Sequence, residues 1–496
     1  MGGDFEVIKK DVMGRIGILR TKSGKIETPT ILPVINPKNI VVSPRKMKRI
    51  GADAVITNSY IIYSSPKLKE RARKEGLHKM LQFDGPIMTD SGSFQLSVYG
   101  DIDIESKEIL RFQREIGSDI CVPIDIPTKP DEKWDKAKKD VEITLERLRE
   151  MKEIKREFED LSLVAPIQGS THKDLREMSA REAGKLDFDI YAIGAVVPLL
   201  EEYRYRDLVD VVLHSKFNLP LNRPVHLFGA GHPMTFSLAV LMGCDLFDSA
   251  AYVLYAMDKR YLTVNGTHKL SELRYFPCNC PVCSEYSPRE VMESGEDERT
   301  RLLALHNLYE SFSEIKRIKQ AIVDGRLWEL VQIRCRSHPR LLDALRNLIR
   351  YSGEMERFDP STKSAFFYGG IESNERTEVL RYRRKLEAME IKKTPALITT
   401  LNRELEDFEE VYYLKPPFGP FPKELEETYP FNCETPDIFD EEMVKTALGN
   451  VIILIENEKN RGKEILFEYD ERYNHPLIEE VKRYTEVKKG RCDLKC

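Results

Sequence analysis

The 496-residue chain has no long apolar run. Its least charged stretches, such as residues 191–200, fall well short of the roughly 18 apolar residues a membrane span needs. The N-terminal Met1-Gly2-Gly3-Asp4-Phe5-Glu6 carries no apolar signal region, and Glu6 stands where a myristoylation signal wants Ser or Thr. A cytoplasmic protein without membrane partners is the expectation. Neither sign of charge dominates: 77 Lys and Arg against 82 Asp and Glu leave a net charge of −5. That excludes a globally basic nucleic-acid binder, though not a local basic surface. Cysteine is sparse and odd in number, nine in all, and three of the nine crowd between positions 278 and 283. A secreted disulfide scaffold would spread and pair them, so reduced thiols and a metal site are expected. No dinucleotide-binding fingerprint is present, because Gly229-Ala230-Gly231 continues as His232-Pro233. Nor do residues 33–37 hold the His-x-His pair that a metal-dependent barrel hydrolase would place at its first strand end.

What is present is a repeat. Hydrophobic residues make up 41%, enough for real cores, and charged residues reach 32% against a usual figure of about 25%, as in ion-pair-rich, heat-adapted surfaces. Short β-branched runs alternate with longer, charged segments of helical pattern such as 137–158 and 175–186. Eight such runs lie at residues 27–34, 52–58, 86–89, 119–124, 161–167, 190–193, 225–228 and 244–247. Eight strands with crossover helices in about 250 residues predict an α/β fold, a (β/α)8 TIM barrel. At or just beyond the run ends stand Asn36, Ser59, Asp90, Asp125, Gln168, Gly194, Gly229 and Asp248. The C-terminal ends of barrel strands are where such folds carry their active sites.

The barrel with a zinc-binding insertion at 278–306 is expected to occupy residues 1–340. A helical and mixed domain is expected over 341–430, and a small α+β domain over 431–496. The last has a strand expected at 451–455 and a helix at 476–484. Pro416, Pro417, Pro420, Pro422 and Pro430 read as a stiff linker or an exposed connection. The basic run Arg381, Arg383, Arg384 and Lys385 suits either phosphate contact or a solvated helix face.

Two constellations carry chemistry. Cys278-x-Cys280-x2-Cys283 puts three thiols in one loop stiffened by Pro277 and Pro281, and His306 follows on a helical pattern. Three thiolates and one imidazole make a closed tetrahedral set, which predicts one structural zinc. The second constellation is a pair of aspartates at strand ends, Asp90 before Ser91-Gly92-Ser93 and Asp248 before Ser249-Ala250-Ala251. Paired carboxylates across a barrel mouth suit displacement at an anomeric carbon, one attacking and one moving a proton. Each also reads as a helix N-cap, so spacing alone leaves both roles open.

Taken together, residues 89–95 (Thr-Asp-Ser-Gly-Ser-Phe-Gln), 123–127 (Pro-Ile-Asp-Ile-Pro), 167–169 (Ile-Gln-Gly), 193–195 (Ile-Gly-Ala), 228–233 (Phe-Gly-Ala-Gly-His-Pro), 247–250 (Phe-Asp-Ser-Ala) and the cysteine cluster resemble the tRNA-guanine transglycosylase family, in its archaeal branch. The resemblance runs from about residue 6 to 312 and continues less specifically beyond. It implies exchange of guanine at position 15 in the D-arm of tRNA for free 7-cyano-7-deazaguanine, a step of archaeosine synthesis. The exchange would pass through a covalent ribosyl-aspartate and use no energy cofactor. Asp248 matches the position read as nucleophile and Asp90 the position read as acid/base, although the nucleophile label has also been given to the Asp90 position. Asp125 matches the acceptor of the base's N–H edge. Gln168, Gly194 and Ala195 match the recognition of its other polar atoms, and Phe94 the stacking aromatic.

Archaeal members often end in a PUA domain, which the residues after 484 are too few to hold. A homodimer is therefore expected, with a separately encoded PUA-type protein as a second candidate partner. Two other readings keep the barrel: an archaeosine-synthase-like paralogue and a non-catalytic tRNA-binding subunit. Neither needs both Asp90 and Asp248.

Overall fold

The computed structural model describes residues 4–93, 106–155, 160–401 and 407–490. The chain forms two compact units, Met1–Val323 with Ile333–Leu345, and Asp324–Gln332 with Arg346–Cys496. The first unit opens with a three-stranded antiparallel sheet, β1 (Phe5–Asp11), β2 (Gly14–Thr21) and β3 (Gly24–Thr28). The run at 27–34 is thus two elements. Pro29, which has no N–H to give a ladder, separates β3 from the first barrel strand, β4 (Thr30–Ile35).

The other barrel strands are β5 (Val55–Asn58), β6 (Ile87–Asp90), β7 (Ile120–Cys121), β8 (Ser162–Ile167), β9 (Ile190–Ile193), β10 (Val225–Leu227) and β11 (Leu246–Ser249). They close in chain order with every neighbouring pair parallel, the expected eight-stranded barrel. The crossover helices Trp134–Lys155 and Lys173–Gly184 fall on the helical patterns read from sequence, of which residues 156–158 lie outside the described residues. Leu32, Ile56, Met88, Ile120, Val164, Ala192 and Leu246 share one apolar cluster with Ile190 and Val122. Successive residues of a strand face opposite sides. Asn58, Asp90, Gln168, Gly194 and Asp248 therefore continue the inward rows of Ile56, Met88, Val164, Ala192 and Leu246 to the C-terminal mouth.

A second set of aspartates closes the opposite end. The side chain of Asp119, just before β7, accepts the backbone N–H of Ile87 at 2.8 Å, while its own N–H donates to the Ile87 carbonyl. Asp189 does the same with Leu163, and Asp245 with Val225. All three are buried, and Asp245 is also gripped by Arg15 at 2.7 and 2.8 Å. Each clasp ties one strand start to the strand before it.

After the barrel a hairpin, β12 (Arg260–Thr263) and β13 (Gly266–Lys269), leads into the cysteine loop and the helix Glu296–Asp324. In the second unit lie β14 (Ala396–Thr399), β15 (Glu410–Lys415), β16 (Gly419–Pro422), β17 (Ile465–Tyr469) and β18 (Glu486–Lys489). They form one sheet of order β16-β15-β14-β17-β18. The expected division at 430 therefore falls inside a sheet, and the two C-terminal domains are one compact unit. Nor is the proline-rich stretch an exposed connection. It builds β16, and Phe418, Phe421 and Phe431 are buried in the core of this unit.

Residues 451–455 are not a strand. They end the helix Glu441–Glu456, whose N-cap Asp440 accepts the Met443 N–H. Met443, Val444, Ala447, Leu448, Val451, Ile452, Leu454 and Ile455 are buried along it at helical spacing. The β-branched run alone hid that longer period. The helix expected at 476–484 is shorter, Leu477–Val481. The basic run lies on the helix Thr377–Leu386, where Arg381 and Arg384 bind Glu356 and Arg383 binds Asn450, while Arg384 and Lys385 stay exposed. Among the described residues, no helix is long and apolar enough to cross a membrane.

Candidate active site

Three carboxylates meet at the mouth of the barrel. Asp248, next to last in β11, has one oxygen held fast, Oδ1 accepting the Gly229 N–H and a bond from His226 Nε2, both at 2.9 Å. Its helix-capping alternative does not hold, since the amide of Ala251 is taken by Ser249 Oγ instead. Among the described residues nothing donates to Oδ2. One carboxylate oxygen is anchored and the other is open.

Asp90 ends β6 beside β5, where Asn58 pairs with it in register. Asn58 Nδ2 donates to Asp90 Oδ2 at 3.0 Å, and Ser59 Oγ donates to the Asp90 carbonyl at 2.7 Å. Sequence reading picked Ser59 and passed over Asn58, whose side chain holds the carboxylate. Burial pushes the Asp90 carboxyl up to about 7, and the charges of Asp125 and Asp248 push the same way. The amides of Gly92 and Ser91 pull against them. A carboxyl poised there is able both to give and to take a proton near neutral pH.

Asp125 is buried beyond the end of β7, and burial raises its carboxyl too, against the pull of Ser93 and Gln168. Gln168 Nε2 donates to Asp125 Oδ2 at 2.5 Å. Gln168 Oε1 is left buried with no hydrogen-bond partner among the described residues. A buried acceptor without a donor costs free energy unless a ligand satisfies it. Gly194 lies against this amide so closely that a Cβ there would come within 2.4 Å of Gln168 Nε2. Ala195 next to it takes a left-handed backbone, φ 59°. Phe94 lies outside the described residues.

Arg176, which the sequence reading missed, underlies this edge. It is fully buried, and among the described residues its guanidinium donates to carbonyls alone: Ser170 and Ile167 at 2.8 Å, and Gly194 at 3.1 Å. It ties the loops after β8 and β9 together, which fixes Gln168 and the 194–195 peptide relative to each other. His226 was also missed. One polar residue in the apolar run Val225-His226-Leu227 was the available signal.

The Cys278, Cys280, Cys283 and His306 side chains converge, with ligand atoms all within 4.8 Å of one another. Metal–sulfur bonds of about 2.3 Å in a tetrahedron put sulfurs roughly 3.8 Å apart, so the cluster has the dimensions of a metal site. His306 Nε2 bonds the Leu262 carbonyl at 2.9 Å, which leaves Nδ1 as the ligand atom, 3.4 Å from Cys283 Sγ and 3.6 Å from Cys280 Sγ. Tyr261 stacks on the imidazole at 3.6 Å and holds its plane. An outer hydrogen bond of this kind selects the tautomer that binds metal. The four groups together could hold one metal ion.

The sequence matches a family model described as queuine tRNA-ribosyltransferase over residues 11–340. A Methanosarcina barkeri protein named tRNA-guanine(15) transglycosylase is 51% identical over 489 residues, covering 98% of each chain. A protein of the same name from Archaeoglobus fulgidus is 53% identical over 449 residues, 89% of this chain and 91% of its own. One from Methanocaldococcus jannaschii is 52% identical over 458 residues, 88% of this chain but 69% of its own. With a family match across the whole barrel and relatives about half identical over most of this chain, the chain belongs to the queuine tRNA-ribosyltransferase (TGT) family.

Proposed function

We propose that this protein is a tRNA-guanine transglycosylase that replaces guanine at position 15 of tRNA with 7-cyano-7-deazaguanine. The carrying observation is the unlike state of two neighbouring carboxylates. Asp248 presents one open oxygen with the other anchored, while Asp90 is held near neutrality. In this reading Asp248 Oδ2 attacks ribose C1′ as the C1′–N9 bond of guanine breaks, and Asp90 gives the departing base its proton. The incoming base then loses its N9 proton to Asp90 and attacks C1′, which releases Asp248. One glycosidic bond breaks and one forms, so the RNA backbone stays intact and no energy source is needed.

Asp125 accepts the N1–H and N2–H edge of the base, the unpartnered Gln168 Oε1 accepts a further N–H, and the peptide at Gly194 and Ala195 lines the remaining edge. Phe94 is the aromatic that this reading assigns to the ring. The base has to leave the helical stack to arrive there, a cost that contacts elsewhere on the tRNA offset. Cys278, Cys280, Cys283 and His306 hold a structural zinc, whose four protein ligands leave it no open position for chemistry. A homodimer, and a separately encoded PUA-type RNA-binding protein, are the associations this reading carries in a cytoplasmic enzyme. Sedimentation with and without tRNA and a candidate partner tests both.

The activity is tested by release of labelled guanine from unmodified tRNA on addition of 7-cyano-7-deazaguanine. Stoichiometric incorporation at position 15 supports the proposal. Release without incorporation, or no release, defeats it.

A further inference from the structure

His226 is buried to 0% exposure on β10, in register with Leu246 of β11 and Ala192 of β9. Its Nε2 meets Asp248 Oδ1 at 2.9 Å, and Nδ1 is buried with no hydrogen-bond partner among the described residues. Oδ1 already accepts the Gly229 N–H, so Oδ1 is an acceptor and Nε2 carries the proton. The imidazole thus aims one donor at one carboxylate oxygen. The Phe228 ring packs edge-on at 4.7 Å and fixes its plane.

We infer that His226 is the positioning residue of the nucleophile. It and the Gly229 amide lock Oδ1, so that Oδ2 faces the sugar in one orientation. The inference rests on the reading of Asp248 as nucleophile. A carboxylate held by one donor instead of two swings about its χ2 torsion, and such misplacement by about 1 Å is worth about 10²-fold in rate. The effect belongs to the chemical step, since His226 acts on the mouth through its bond to Asp248.

The substitutions separate donor position from bulk. In His226→Gln the amide nitrogen falls where Nε2 was; in His226→Asn it falls where the unpartnered Nδ1 was; His226→Leu removes the donor. Steady-state base exchange on tRNA and thermal melting are measured for all three, with Asp248→Asn alongside. The expected result is a kcat loss of about 10²-fold in the Leu and Asn variants with KM for tRNA within about twofold, and recovery to within about fivefold in the Gln variant. Equal activity of the Gln and Asn variants, or a kcat loss that follows the melting temperature across all three, overturns the inference. Should Asp248→Asn itself exchange base normally, the failure belongs to the nucleophile reading instead. An inactive Asp248→Asn beside a fully active His226→Leu leaves that reading standing and removes His226 from it.

Discussion

The two ends of the barrel use the same side chain in opposite ways. At the N-terminal end Asp119, Asp189 and Asp245 are buried and bonded to the backbone of the neighbouring strand, and Arg15 adds two bonds to Asp245. At the C-terminal end Asp248 keeps an oxygen without a donor, and Asp90 is pushed to about 7 by burial and by its carboxylate neighbours. A carboxylate bonded to the backbone of a neighbouring strand stabilises the fold; one that opens on the mouth of the barrel is placed to act as a reagent. Barrels of this class divide stability and chemistry between their two ends, and here aspartates mark both.

The largest effect expected from breaking this contrast is at the mouth. Asp248→Asn and Asp90→Asn should each lower base exchange on the order of 10⁴-fold, with melting temperature no lower than that of the parent protein. Exchange assays beside calorimetry check this. At the other end, Asp245→Asn keeps the shape but not the charge that Arg15 faces. It should cost about 3–5 kcal/mol of stability, the scale for breaking a buried ion pair. The kcat of the folded protein should stay within a few-fold, as denaturant unfolding and exchange at low temperature would reveal.

Metal removal should act on one place only. Chelation, or Cys280→Ser, is expected to release one zinc per chain and raise hydrogen exchange in the 278–306 segment while the barrel strands stay protected. Metal analysis and exchange mass spectrometry report both.

The smallest effect concerns pH. Asp90 binds its proton more tightly in the folded chain than in the unfolded one, so between about pH 4 and pH 7 the native state holds more protons. Stability from this group is present at low pH and lost as pH rises through about 7. Asp90→Asn removes the loss, so its melting temperature should exceed the parent's at pH 8 and converge with it near pH 4.

How much of this was legible depended on the range of the signal. The eight strands were, because a buried parallel strand is a short β-branched run and its end is a change to polar or glycine residues, as at Ile193-Gly194 or Thr89-Asp90. The cysteine cluster was legible for the same reason, three of its four groups lying within six positions. The partners of the reactive groups were not. Asn58, Arg176 and His226 act across strands, and in sequence each is one polar residue among ordinary neighbours. The second unit misled at Val451–Ile455, where β-branched residues sit inside a helix because Asp440 caps it and its apolar face has a core to cover.

The most direct test is to stall the exchange. Enzyme incubated with unmodified tRNA, without incoming base, is run on a denaturing gel beside its Asp248→Asn and Asp245→Asn forms, at a temperature where all three are folded. The account predicts a covalent protein–RNA band in the parent and in Asp245→Asn, cleared by 7-cyano-7-deazaguanine, and none in Asp248→Asn. A band of full intensity in Asp248→Asn, or its loss in folded Asp245→Asn, would contradict the assignment of chemistry to one end of the barrel and structure to the other.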